Sequence, residues 1–332
     1  LGMTAQGPAQ PLNLPLEHVL KDAERVLIAG MGGGFDVYAG LPLYFALQAQ
    51  GKAVHLANYS FTDLIMAADL STDADVRIDG VLVGARGEVR FPIHYYPEGF
   101  LAQWFAQERN EDVTVWLFGH VGVRPLTMAY NTLIKHLGGV DAIILVDGGV
   151  DSLMRGDESG AGSVAGDSTS LAAVAEVDVP IKIVAAIGFG TEVEEGLSHA
   201  AALENMAALT AAGAFYGACA LTPTMDAFQQ YEAACRYVFE QPKHAHSHIS
   251  TRIVPAARGA FGNHHMYPKD RNVPLFISPL MTVYWFYNAE AVIARNLLID
   301  AIKDTLTSQD IARAIFMARR QMRLRPKRSI PY

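Results

Sequence analysis

The stretch Asp147-Gly148-Gly149-Val150-Asp151-Ser152-Leu153-Met154-Arg155-Gly156-Asp157-Glu158 packs four carboxylates and one arginine into twelve residues. Oxygen donors at this density suit a hard divalent cation such as magnesium or calcium, with Asp147 and Asp151 as ligands. They equally suit proton transfer. Arg155 can hold a substrate carboxylate through two parallel hydrogen bonds, while one acid among Asp147, Asp151, Asp157 and Glu158 has its pKa raised by crowding and serves as general base. A plain Asp-Gly turn, with Arg155 paired internally to Asp157 or Glu158, needs fewer acids than are present.

A second signal is Gly30-Met31-Gly32-Gly33-Gly34-Phe35-Asp36. It follows the apolar run Val26-Leu27-Ile28-Ala29 and precedes a helix-like segment, so it offers backbone amides at the carboxyl end of a strand, where α/β sheets bind ligands. Gly30, Gly32, Gly33, Gly34 and Asp36 are therefore candidate cofactor-binding residues, with Asn58, at the end of the next apolar run, as the partner of a ribose. The dinucleotide fingerprint G-x-G-x-x-G fails, because Phe35 stands where a glycine is required and Asn58 where an acid is required. The methyl-donor type of loop matches the glycine spacing but lacks its acid near Ile28. No lysine followed by Ser or Thr completes a P-loop. Asp36 at a helix start repels a dianion, so a hydroxyl, an amine or a metal suits this loop better than phosphate; as a purely structural residue it would be a helix N-cap.

Among the histidines, His199 lies near a helix start after an apolar run and a Gly188-Phe189-Gly190 turn, and is the candidate for proton transfer. His244, His246 and His248 alternate, which on an extended strand turns all three to one face and could chelate zinc or nickel. His264 and His265 sit in a loop and are further candidate metal ligands, although adjacent residues point in different directions. No G-x-S-x-G elbow is present, and neither Cys219 nor Cys235 has a base nearby in sequence, so acyl-enzyme chemistry lacks support.

The elements that must position these residues follow from periodicity. Short β-branched runs at 25–30, 53–59, 81–83, 113–119, 142–147, 181–187, 214–220 and 249–254 predict strands. Segments 41–50, 125–137, 168–174, 198–212, 225–240, 284–303 and 308–322 carry apolar residues at helical spacing. The alternation predicts an α/β fold with a Rossmann-like, largely parallel sheet and helices on both faces. The glycine loop and the acidic loop then emerge on one edge, with Arg124 as a further rim residue and the glycine-rich run 160–169 as a lid, its helix capped by Asp167 or Ser168. No linker or repeat divides the chain, so residues 1–20 read as a flexible lead-in and 21–332 as one domain. The basic run Arg319, Arg320, Arg323, Arg325, Lys327 and Arg328 reads as a solvated helix end, or as a dock for an anionic substrate or a neighbouring subunit.

Of the 332 residues, 51% are hydrophobic and 18% charged, which excludes a disordered chain. A net charge of −8 argues against nucleic acid as a partner. The longest apolar region, 275–294, is interrupted by Pro279, Asn288 and Glu290, so no membrane partner is expected. The N-terminus lacks the pattern of a secretory signal, and two cysteines fit a reducing, cytoplasmic setting. The hydrophobic surplus hints at a homo-oligomer.

The run Gly32-Gly33-Gly34-Phe35-Asp36-Val37, the stretch His55-Leu56-Ala57-Asn58-Tyr59-Ser60-Phe61, the acidic loop and the ending Arg328-Ser329-Ile330-Pro331 together resemble an archaeal and bacterial family that shares a domain of unknown function. The resemblance spans nearly the whole chain and implies a single domain, without naming a reaction. The expectation is an enzyme acting on a small polar metabolite by hydrolysis or related proton transfer, with a divalent metal as the possible cofactor. A nucleoside-cofactor enzyme and a non-catalytic metabolite sensor are the alternatives.

Overall fold

A computed structural model of the chain describes residues 15–71, 75–91, 95–192, 194–242, 244–268, 271 and 273–330. In chain order the elements are α1 (Pro15–Leu20), β1 (Arg25–Gly30), α2 (Asp36–Ala39), α3 (Leu41–Ala49), β2 (Ala53–Tyr59), α4 (Leu64–Leu70), β3 (Asp75–Ile78), β4 (Leu82–Ala85), α5 (Pro97–Glu108), β5 (Val115–Phe118), α6 (Val123–His136) and β6 (Ala142–Gly148). They continue with α7 (Val164–Ala175), β7 (Ile181–Ile187), α8 (His199–Ala211), β8 (Phe215–Ala220), α9 (Asp226–Phe239), α10 (Ser250–Ala257), β9 (Val283–Asn288), α11 (Ala289–Arg295), α12 (Ile299–Ile302) and α13 (Ser308–Gln321).

Among the described residues the nine strands form one mixed sheet in the order β3-β4-β5-β2-β1-β6-β7-β9-β8. Its centre, β5-β2-β1-β6-β7, is parallel, and antiparallel strands close both sides. Because the central strands are buried on both faces, their residues alternate between two cores. Val26, Ile28, Ile144 and Val146 pack under α2, α3, α5 and α9, whereas Leu27, Ala29, Ile143 and Leu145 pack under α6, α7, α8 and α13. This explains why these strands read as continuous apolar runs. Chain progression runs outward from β1 through β2 to β5 on one side and from β6 to β7 on the other, so the direction of winding reverses between β1 and β6. At that seam Gly30 registers with Val146, and the Met31 amide bonds the Val146 carbonyl at 2.9 Å.

The periodicity reading placed no element at α4, β3 or α5, and three further segments differ in kind. Of residues 249–254, read as a strand, Ile249 is the N-cap and the rest belong to helix α10, whose every residue is buried. A helix enclosed on all sides has the same apolar signature as a buried strand. Segment 284–303 starts as strand β9, because the consecutive aromatics Tyr284 to Tyr287 fill a pleated surface on both sides, and Asn288 then caps α11 through the Ala291 amide. Residues 15–20 are not lead-in but helix α1, whose Leu16 and Leu20 join the core; residues 1–14 lie outside the described residues.

Since β6 is buried at all seven positions, truncation there leaves a cavity that its neighbours cannot close. Ile144→Ala is expected to lower unfolding free energy by about 2–5 kcal/mol in urea titration. A loss under about 1 kcal/mol would mean the strand is not enclosed as described.

Candidate functional site

At the β1/β6 seam the glycine loop turns directly into α2, and Asp36 occupies the helix's first position. Phe35, not Asp36, is the N-cap residue, and the helix has no side-chain cap. Instead Asp36 Oδ2 accepts from the Gly32 amide at 2.7 Å, and Oδ1 accepts from the Gly148 amide at 3.1 Å, so one carboxylate staples the glycine loop to the end of β6. A Cβ at position 32 would lie 2.9 Å from both Asp36 Oδ2 and Asp167 Oδ1. The glycine is there to admit carboxylates to the backbone rather than to wrap a phosphate.

Beyond β6, Asp147 Oδ2 accepts from the Ser152 amide at 3.0 Å, and Asp151 opens a single 3-10 turn, Asp151–Leu153. Asp151 Oδ2 takes both the amide and the hydroxyl of Ser163 at 2.8 Å, which fixes the start of α7 and brings Asp167, in its first turn, beside the other acids. The loop after β7 adds Glu192, whose Oε2 accepts from the Val150 amide at 2.6 Å, and Glu195, whose Oε2 lies 3.0 Å from Ser163 Oγ. Gly149 faces this loop, where a Cβ would meet the Glu192 carboxyl carbon at 2.4 Å. All six acids line one crevice of about 530 Å³, rimmed by Phe61, Tyr95, His120, His246 and His248. No lysine or arginine lines it among the described residues. Oxygen atoms of Asp36, Asp147 and Asp167 lie within 4.8 Å of one another, as do those of Asp151, Glu192 and Glu195.

The electrostatics are those of like charges forced together away from water. Asp167 is only 1% exposed, and neither carboxylate oxygen meets a donor. Burial raises its pKa well above the ordinary value, and Asp151, Asp147 and Asp36 add to the shift. Burial, then Asp151, raise Asp147 and Glu192 in the same way. Asp36 is pushed up to about 7 by burial, against the lowering effect of its two amide bonds.

Several expected site residues lie elsewhere. Arg155, Asp157 and Glu158 do not line the crevice; they form a clamp on the C-terminal segment. Buried Glu158 accepts from the Arg155 and Gly156 amides at 3.0 and 2.8 Å, from Asn205 Nδ2 at 2.8 Å and from Arg325 Nη2 at 2.8 Å. Arg325 also pairs with Asp157 at 3.0 Å and Glu204 at 3.1 Å, whereas Arg155 approaches Asp157 only to 3.9 Å. The basic run thus closes on this corner and on α8: Arg325 pairs with Glu158, Arg328 pairs with Glu204 at the surface, and Arg319 donates to the Glu158 carbonyl at 2.9 Å. His199, at the start of α8, packs its ring 5.1 Å from Phe189 and is depressed by burial and by Lys327. It does not line the crevice.

Asn58 is fully buried behind the glycine loop, its amide donating to the Gly34 carbonyl at 2.9 Å and to Glu98 at 2.7 Å, so it supports the loop and offers nothing to a ribose. Gly30 lies against it, while Gly32, Gly33 and Gly34 do line the crevice. His264 and His265 sit away from the crevice lining, with His265 bonded to Asn263 at 3.2 Å. The alternating histidines are not on a strand. His244 is wedged among Phe35, Tyr95 and Phe100, and its Nε2 accepts the Tyr96 amide at 3.1 Å, which makes it neutral with Nδ1 donating to the Ala245 carbonyl; only His246 and His248 reach the rim.

Asp167, Glu192 and Glu195 are site residues that sequence reasoning missed. The signal for the two glutamates was the one used for the acidic loop: acids just beyond a strand and a Gly-Phe-Gly turn.

Residues 100–321 match a family described as a protein of unknown function, DUF1152. The chain belongs to this DUF1152 family. No curated protein and no solved structure matches it. The matched span holds Asp147, Asp151, Asp167, Glu192 and Glu195; Asp36 reaches the same crevice from outside it.

Two outcomes follow. A carboxyl titrating higher in the fold than in the open chain binds protons on folding, so its favourable contribution is complete below pH about 4 and disappears as pH rises through the folded value. With chelator present, the thermal midpoint is therefore expected to fall as pH rises through about 7, the Asp36 value; a midpoint that climbs over this interval contradicts the crowded-acid description. Glu158→Ala leaves the Arg155 and Gly156 amides and Asn205 Nδ2 without their acceptor, while Arg325 keeps Asp157 and Glu204, and it is expected to cost about 1–3 kcal/mol in stability without changing the pH dependence set by the crevice acids. A changed pH dependence would return Glu158 to the site.

Proposed function

We propose that this DUF1152 member is a divalent-cation-dependent hydrolase of a small polar metabolite. The observation that carries the reading is Asp167: a carboxylate fully enclosed, with both oxygens lacking a donor, facing Asp36, Asp147 and Asp151. An isolated buried carboxylate costs several kcal/mol or more unless it is paired, protonated or coordinated to metal. Without an ion the raised pKa values keep protons on these acids; since no cationic side chain lines the crevice, a hard cation is the group whose chemistry would let them ionise together.

Asp36, Asp147 and Asp167 would hold such a cation, which would supply Lewis-acid activation of water, and an acid of the crevice would take the water's proton. The water oxygen then bonds to the electrophilic centre of the substrate, the bond to the leaving group breaks, and the same acid returns the proton to that group.

The reading fits a Rossmann-like sheet, since the winding reversal between β1 and β6 is the kind of switch point where such folds bind ligands. The nucleoside-cofactor reading loses Asn58 as its ribose partner. The sensor reading differs in turnover alone.

Asp167→Asn is expected to lower hydrolysis of responsive esters and amides, found by screening in manganese or magnesium, by at least about 100-fold, and chelator to abolish it. Full turnover in chelator, or in the variant, would remove the proposal. Metal and metabolite binding without turnover would favour the sensor.

A further inference from the structure

We propose that the crevice holds two divalent cations that share Asp151, and that its substrate is a small molecule carrying an amine or guanidinium group. This rests on the cation-dependent reading above and deepens it.

The first position is formed by Asp36, Asp147 and Asp167, the second by Asp151, Glu192 and Glu195. Within each set the donor oxygens lie no more than 4.8 Å apart. Two oxygens on opposite sides of one calcium are about 4.6–5.2 Å apart, and about 4.0–4.2 Å for magnesium. Oxygens held within that limit can meet on a single divalent ion in each set. One ion cannot serve both sets without leaving oxygens of the other uncompensated. Asp151 lines the same crevice and lies near enough to Asp167 of the first set and Glu192 of its own to raise both, so it stands at the junction. Asp167, enclosed and without a donor on either oxygen, is the independent mark of a missing ligand at this junction.

Charge decides the substrate. Bound cations keep their carboxylate ligands ionised. Six carboxylates against two divalent cations leave the crevice negative by two charges. A phosphate or carboxylate substrate would enter against that residue with no arginine or lysine to receive it. A cationic one enters with it. The rim supports the same choice, because Phe61, 52% exposed, stands beside His120 and Tyr95 at the opening, and aromatic faces attract cations. For a guanidinium substrate, water attacks the central carbon, the C–N bond breaks, and the departing amine takes the proton removed from the water.

The experiment titrates manganese into chelator-treated wild-type protein, reading stoichiometry by calorimetry and ion proximity by electron paramagnetic resonance. The expected result is about two ions per chain with an exchange-coupled spectrum. Glu192→Gln and Asp167→Asn should each retain about one ion with an uncoupled signal. One ion in wild-type protein, or two without coupling, overturns the pair, and this reading needs no variant to fold. Methylguanidinium and inorganic phosphate are then compared as ligands of the loaded protein. Methylguanidinium should bind at least about tenfold more tightly, and phosphate binding as tightly or more so overturns the substrate class. Turnover with a single ion would remove the pair and leave the hydrolase; a coupled pair without turnover on any screened ester, amide or guanidine would do the reverse.

Discussion

The constraint on which this molecule depends is the cost of holding several carboxylates together away from water. A lone acid can satisfy itself with amides, as Asp36 does with Gly32 and Gly148. Asp167 cannot, and its neighbours are acids too. Much of the local architecture answers this pressure. Bare backbone at Gly32 and Gly149 lets oxygens approach the chain, Ser163 donates twice to Asp151, and the Val150 and Ser152 amides take one carboxylate each. These bonds orient the acids without neutralising them, which leaves an unmet demand for positive charge.

The sheet makes that concentration of charge possible. Parallel strands deliver the chain to one edge repeatedly, and the reversal between β1 and β6 opens the edge where helices from opposite faces diverge. Residues distant in sequence, such as Asp36 and Glu192, arrive there because each follows a central strand. The antiparallel flanks contribute little to the crevice lining; the rim comes instead from loops after β2 and β5 and from the turn before α10.

How much was legible in the sequence follows from the kind of signal each residue carried. Asp147 and Asp151 were readable because acids and glycines directly follow a strongly apolar strand. The convergence with Asp36 was readable from topology alone. Arg155, Asp157 and Glu158 were misassigned because contiguity in sequence was taken for contiguity in space; after one 3-10 turn the chain leaves the crevice and meets Arg325, a partner 168 residues away from Asp157. Asp167 was read as a helix cap, which its position in the first turn of α7 permits; only the fold shows that it faces other acids and no amide. His244 was grouped with His246 and His248 on the assumption of an extended strand, whereas the segment runs irregularly into α10.

The clamp between Arg325 and the Asp157–Glu158 corner bears on the order of assembly. Its bonds span more of the chain than any contact among the six crevice acids, and the corner it holds is contiguous with the turn carrying Asp151. During synthesis the acids are therefore all outside the ribosome well before the strap that steadies them has been made. Long-range closures of this sort come late and slow the search for the native state. The nascent chain thus passes through an interval in which its most charged hollow exists without its buttress.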